Sequence, residues 1–207
     1  MKEEKIIDRD YVCKHILPRL FSINYDKEKL SHLYTTEWND FTVGYYFPFG
    51  SDGKATATIT KDFISGTEWM YVPLARYAID NLRNQLEMTS LNAFLASQIG
   101  SESFLDPPYD IYILSNADKV YGAAAVMCEG VFKYVTERTG WENYILIPSS
   151  VHEWLIMPYS DNVDLDEIRQ MITEVNDGVV LASDILSYDP YIYKDGYFMR
   201  YKYGLTV

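Results

Sequence analysis

Two apolar runs meet across a short turn in Tyr144-Ile-Leu-Ile-Pro-Ser-Ser-Val-His-Glu-Trp-Leu-Ile-Met157. Runs this apolar read as buried strands, 144–147 and 151–157, reversing at Pro148-Ser149-Ser150. A sheet must therefore run through the core, and the remaining elements must cover it. The only polar cluster in the stretch, Ser149, Ser150, His152 and Glu153, sits beside the joint. The plainest role for it is structural. Pro148 sets a turn, the hydroxyls satisfy backbone donors, and His152 follows the Trp154/Ile156 face to bond a carbonyl or a serine.

The rest of the chain supplies hairpins and amphipathic helices. A helix is predicted over 8–21, with Tyr11, Val12, His15, Ile16 and Leu20 on one face and Pro18 straining its last turn. Strands 41–49 and 54–60 join through Gly50-Ser-Asp-Gly53. Pro73 opens a helix whose stripe is Leu74, Tyr77, Ala78, Leu82 and Leu86; a shorter one covers 91–99. A second hairpin is predicted from 109–115 and 120–127 through Asn116-Ala-Asp118. Gly122 and the three alanines after it let another element pack closely there. A helix over 130–139 stops at Gly140. The best-specified element follows Asp164, which caps it while Glu167 reaches back and Val163 and Ile168 staple the cap. Its expected stripe is Leu165, Ile168, Met171, Ile172 and Val175, and Gly178 ends it. The tail carries a hairpin signal at Asp195-Gly196. Helices interspersed with hairpins define an α+β fold with a largely antiparallel sheet and flanking amphipathic helices. The expected organisation is an N-terminal helical segment, 1–40, and one α+β domain, 41–207, with a candidate joint at 100–108.

Charge narrows the function classes. The net charge is −12, and residues 151–187 hold eight acidic side chains against Arg169 alone, a local −7. Such a field repels phosphates, so direct nucleic-acid binding is not expected. It leaves two readings of the acidic segment, a solvated helix that keeps a small protein soluble or a surface that imitates nucleic acid. No run of 18 apolar residues occurs, and the opening Met-Lys-Glu-Glu-Lys-Ile-Ile-Asp-Arg-Asp is charged where a signal peptide is apolar. Cys13 and Cys128 lie far apart without metal spacing. The expectation is a cytoplasmic chain with reduced thiols, no membrane contact and no cofactor.

Three strings in the second half resemble a bacterial family catalogued as a domain of unknown function, found mainly in anaerobic Gram-positive gut bacteria. They are Ile113-Leu-Ser-Asn116 with Tyr121-Gly-Ala-Ala124; Ile147-Pro-Ser-Ser-Val-His-Glu153; and Glu174-Val-Asn176 with Asp184-Ile-Leu-Ser187. The likeness covers about residues 54–193 and is looser before 110, where Ile59-Thr-Lys61 and Ala78-Ile-Asp-Asn81 fit. It implies a shared fold and a genomic setting that often includes mobile elements, with no activity, cofactor or catalytic residue.

The candidate chemistry is thin. Metal binding by His152 and Glu153 fails on geometry, because adjacent strand residues point to opposite faces, and on ligand number, because His15 and His32 are remote. Hydrolysis by Ser149 or Ser150 with His152 as base lacks the glycine-flanked elbow a nucleophile needs. A Cys128–His152 pair requires two strands to face each other. Tyr191, Tyr193, Tyr197, Tyr201 and Tyr203 interleave with Lys194, Arg200 and Lys202, as a base-stacking platform or a protein-binding edge strand would. The net charge favours protein. The sequence is thus read as a non-catalytic module that binds an unidentified protein through Asp161, Asp164, Asp166, Glu167, Glu174 and Asp177 of the acidic helix and through Tyr191, Tyr193, Tyr197 and Tyr201 of the tail. The alternatives are an acidic inhibitor of a host defence nuclease and a hydrolase using Ser149, Ser150, His152 and Glu153.

Overall fold

The computed structural model describes residues 8–49, 55–65, 67–99 and 110–202. The Gly50-Ser-Asp-Gly53 turn, the joint at 100–108 and Tyr203 lie outside them. The fold is α+β, with antiparallel strands in two sheets. Two compact units divide the chain, one formed by 1–21 with 25–85, the other by 22–24 with 86–207.

The first unit begins with α1 (Arg9–His15) and β1 (Leu17–Leu20), so the helix expected over 8–21 stops early. Pro18 is the reason. Its ring disfavours helical backbone at Leu17, and the chain leaves the helix at Ile16 in an extended conformation. Pro18 then sits in β1 opposite Tyr45. After α2 (Lys27–Ser31) come β2 (Thr35–Trp38), the long β3 (Phe41–Phe49) and β4 (Ala55–Thr58), and β3 pairs with β1, β2 and β4. The segment 1–40 therefore contributes two strands as well as helices. After the short α3 (Lys61–Ile64), α4 (Leu74–Arg83) buries Leu74, Ala78 and Leu82, while Tyr77 stays exposed. Asn81 of α4 donates to the carbonyls of Cys13 and Ile16 at 3.0 and 2.9 Å, satisfying acceptors that the end of α1 leaves open.

Leu86, expected to continue α4, instead opens β5 (Leu86–Ser90) in the second unit. Then follow α5 (Leu91–Ile99), β6 (Tyr112–Asn116), α6 (Val131–Thr139), β7 (Tyr144–Ser150), β8 (Glu153–Pro158), α7 (Leu165–Gly178), β9 (Tyr191–Lys194) and β10 (Tyr197–Arg200). The sheet order is β10-β9-β7-β8-β6-β5, with β7 and β8 at its centre. The 109–115/120–127 hairpin does not form. Residues Gly122–Met127 make a 3-10 turn, and β6 pairs with β5 and β8. Alanines 123–125 are fully buried, and a tight turn of small residues fits where a strand of them would leave a void.

Alternation along β7 fixes the two layers. Ile145 and Ile147 pack with Leu165, Ile168 and Ile172 of α7, Ile192 of β9, and Tyr201. Tyr144 and Leu146 face the other side with Trp154, Ile156 and Tyr191. There Phe132 of α6 stacks on Tyr193 and Phe198, with ring centroids 4.6 and 5.3 Å apart, and Tyr144 stacks on Tyr193 at 5.0 Å. The tail hairpin turns through Asp195 and Gly196, both at positive φ (52° and 86°), as a two-residue turn that follows strand twist requires.

Candidate functional site

The polar cluster at the β7–β8 joint is one half of a backbone knot. β7 and β8 pair from Tyr144↔Pro158 to Ser150↔Glu153, with an irregularity at Pro148/Ser150 that places Val151 and His152 in the turn. The other half is the loop after β6. Asn116, fully buried, grips Val120 twice, donating Nδ2–H to its carbonyl at 2.9 Å and accepting its N–H at 3.2 Å. This holds Tyr121 in a left-handed conformation, φ 54°, and aims its N–H at His152 Nδ1, 3.0 Å away. The two rings stack, centroids 5.4 Å apart.

Backbone closes the knot. Ser115 Oγ donates to the His152 carbonyl at 2.8 Å, Ala123 N–H to Val151 O at 3.3 Å, and Trp154 Nε1–H to Ala123 O at 2.7 Å. Val151 N–H reaches Asp184 O at 2.8 Å. A Cβ on Gly122 would press on Ser115 Oγ and lie 2.6 Å from Asn116 N and 2.7 Å from His152 O. The strings that carry the family resemblance thus meet in space and are bonded to one another.

This geometry decides what His152 can do. Its Nδ1 lone pair is taken by the Tyr121 N–H, so the neutral ring carries its proton on Nε2, which points toward Asp184 Oδ2 at 3.9 Å. Neither nitrogen of the neutral ring offers a lone pair to a serine. Ser150 Oγ accepts the His152 backbone N–H at 3.0 Å, and Ser149 lies 3.5 Å from Glu153, at the limit of a hydrogen bond. His152 sits in the turn and not on the Trp154/Ile156 face. Cys128 follows the 3-10 turn and is buried, so the Cys128–His152 pair loses both of the strands it needed. Among the described residues no group of three or more His, Cys, Asp or Glu is arranged to hold a metal ion.

The acidic helix presents a different surface. Asp164 caps α7, accepting the N–H groups of Asp166 and Glu167 at 2.9 and 3.2 Å. The buried stripe is Leu165, Ile168, Ile172 and Asn176; Met171 and Val175, expected inside, are each 47% exposed. Two polar anchors set this roll. Asn176 Nδ2–H donates to the Ser187 carbonyl at 3.0 Å, and Arg169 Nε–H to Asp189 Oδ1 at 2.6 Å. Asp189, itself buried, also binds Arg200 at 2.6 Å. Burial pushes its carboxyl up, but the bonds and charges of Arg169 and Arg200 outweigh that and hold it below the ordinary carboxylate value. With Asn176 drawn inward, Met171 and Val175 ride up on the outer flank. Just past the helix, Val179 and Leu181 are 83% and 70% exposed.

The predicted partner-binding residues separate accordingly. Asp161, Asp164, Asp166, Glu167, Glu174 and Asp177 are exposed. Several are already engaged: Asp166 accepts the Tyr201 hydroxyl and Asp177 that of Tyr188, both at 2.9 Å, and Glu174 accepts Gln170 Nε2–H at 2.9 Å. Tyr191 and Tyr201 are buried, because alternate positions of the tail hairpin face the two layers of the core. Tyr193 is half-buried in the aromatic stack, and Tyr197 alone of the four is fully at the surface. A cleft of about 590 Å³ lies beside the first turns of α7, and its lining among the described residues comes from that helix and its cap. Val179 and Leu181 are not among the predicted contact residues, although the apolar Val179-Val-Leu181 run just past Gly178 is visible in the sequence.

A family model described as a family of unknown function (DUF5688) matches residues 1–195, so the chain belongs to that family. The match extends the resemblance from about residue 54 to the start of the chain and so takes in both compact units. No curated protein and no solved structure matched the chain.

Proposed function

We propose that the chain works as a non-catalytic protein-binding module and that its contact surface is the outer flank of α7 with the segment just after it. The observation that carries this is the pair of exposed apolar side chains Met171 and Val175 on one flank of α7, followed just past the helix by the exposed Val179 and Leu181. Several large apolar side chains left in water on one flank of a helix and just past its end, beside a well-packed core, mark a candidate interaction surface. The carboxylates beside it keep this surface soluble until it is covered. The tyrosine tail contributes Tyr197 at most, since Tyr191 and Tyr201 are occupied in the core.

The nuclease-inhibitor reading is compatible with the −7 of residues 151–187 and with a mobile-element setting, but Asp164, Asp166, Glu174 and Asp177 each already accept an intramolecular hydrogen bond. The hydrolase reading is weakened by the occupied Nδ1 of His152. No described helix is long and apolar enough to cross a membrane. A cytoplasmic location, reduced thiols and an absence of direct nucleic-acid contact complete the proposal.

The test is capture of partners by the tagged full chain from nuclease-treated extracts of the cells that naturally express it. A stoichiometric partner that wild type retains, and that a folded Met171→Ser/Val175→Ser/Leu181→Ser variant loses, supports the module. A partner equally retained by the variant, or no partner at all, overturns it.

A further inference from the structure

Resting on that docking surface, we infer that its partner is a cationic amphipathic helix, which lays an apolar face on the Met171–Val175–Val179 ridge and sets basic side chains against the carboxylates beside it. Residues spaced by four form a raised row along a helix, as Met171 and Val175 do on α7, and the groove beside such a row is what a second helix fills; Val179 follows just past the helix end. The rotation of 100° per residue puts Met171 and Val175 on adjacent strips of α7, with Glu167 and Glu174 next to them on the side away from the core. Asp177 lies further round the same exposed face.

Around this ridge every ionisable side chain of α7 except Arg169 is acidic, and Arg169 is held by Asp189 on the flank facing β10. No cation on the helix itself offsets the carboxylates, so a partner that covers the ridge must bring positive charge or leave that border unmatched at the edge of a dry contact. A second copy of the chain is a poor occupant on the same ground, since each copy carries −12 and would bring the same acidic border.

The experiment titrates the full chain into a fluorescein-labelled Leu/Lys peptide of 18 residues with leucines at helical i, i+3, i+4 spacing, followed by anisotropy. Four controls are run: the same composition scrambled to destroy the apolar face, a Leu/Glu peptide of the same pattern, and two protein variants. The Leu/Lys helix is expected to bind roughly tenfold or more tighter than its scrambled isomer. Met171→Ser/Val175→Ser/Val179→Ser should remove that advantage, and Glu167→Gln/Glu174→Gln should weaken binding and flatten its salt dependence. Equal binding of the scrambled peptide overturns the inference, because it reduces the attraction to bulk charge. Equal binding of the Leu/Glu peptide overturns the cationic partner while leaving the docking surface standing. Failure of every peptide overturns the helical partner, and the capture experiment then decides separately whether the surface binds protein at all.

Discussion

Gly122→Ala probes the knot most sharply, because one methyl group meets backbone on two sides. The added Cβ would sit 2.6 Å from Asn116 N and 2.7 Å from His152 O, and would also press on the Ser115 hydroxyl. A flexible side chain could swing away; the main chain at the end of β6 and in the bonded β7–β8 turn cannot move without breaking its hydrogen bonds. Overpacking of this kind costs about 1–3 kcal/mol. Displacing Ser115 also breaks its bond to the His152 carbonyl, worth roughly 1 kcal/mol more. The expected loss is about 2–4 kcal/mol, a large share of the roughly 5–15 kcal/mol that holds a domain folded. The assay must report on this unit alone. Fluorotryptophan labelling with fluorine NMR does so, since Trp141 and Trp154 belong to the second unit and Trp38 and Trp69 to the first. Urea titration should move the Trp154 transition to lower denaturant. Gly178→Ala is the matched control: nothing lies within 4 Å of a Cβ there, at the last turn of α7, so it should be neutral or stabilise by up to about 1 kcal/mol. A Gly122→Ala transition within about 0.5 kcal/mol of wild type would refute the close approach of Gly122 to the end of β6 and the His152 turn.

Three further outcomes follow from the same contacts. Asp189→Asn should cost roughly 2 kcal/mol, a value discounted for the partly exposed arginines. Because the folded carboxyl titrates below its ordinary value, its contribution is present above about pH 4 and is lost as pH falls through the folded pKa, so the wild-type advantage over Asp189→Asn in urea melts should shrink below that pH. His152 ring nitrogens, followed by ¹⁵N NMR at pH above 7, should show an unprotonated Nδ1 and a protonated Nε2; the opposite tautomer would restore His152 as a candidate base. Ile172→Ala should destabilise the chain by about 2–4 kcal/mol while Met171→Ser and Val175→Ser each stay within about 0.5 kcal/mol in the same melts, and equal losses would put Met171 and Val175 back in the core.

Much of this was legible in local chemistry. Asp164 capping α7, Gly140 ending α6, the Asp195-Gly196 turn and the pairing of β7 with β8 each depend on a few neighbouring residues. What escaped depended on residues far apart. Nothing near Asn116 says that its strand will pair with β8 rather than with the residues just after it, because that choice is made by Ser115 and Gly122 meeting His152. The α7 stripe departs from the hydropathy pattern at Met171 and Val175 for a related reason. Hydropathy placed them inside, but Asn176 and Arg169 found buried partners at Ser187 and Asp189 and rolled the helix toward those. The end of α1 is the opposite case: the effect of Pro18 on Leu17 was present in the sequence and local rules alone predict it.

The central claim is that α7 meets another protein along its outer flank. A photo-crosslinking amino acid placed in turn at Met171, Val175 and Val179, with Lys133 and Glu137 on the exposed side of α6 as controls, tests it in the cells that express the chain. The account predicts one discrete higher-mass adduct from the three ridge positions and none from α6. Adducts of equal yield from both helices, or none from the ridge, would contradict it.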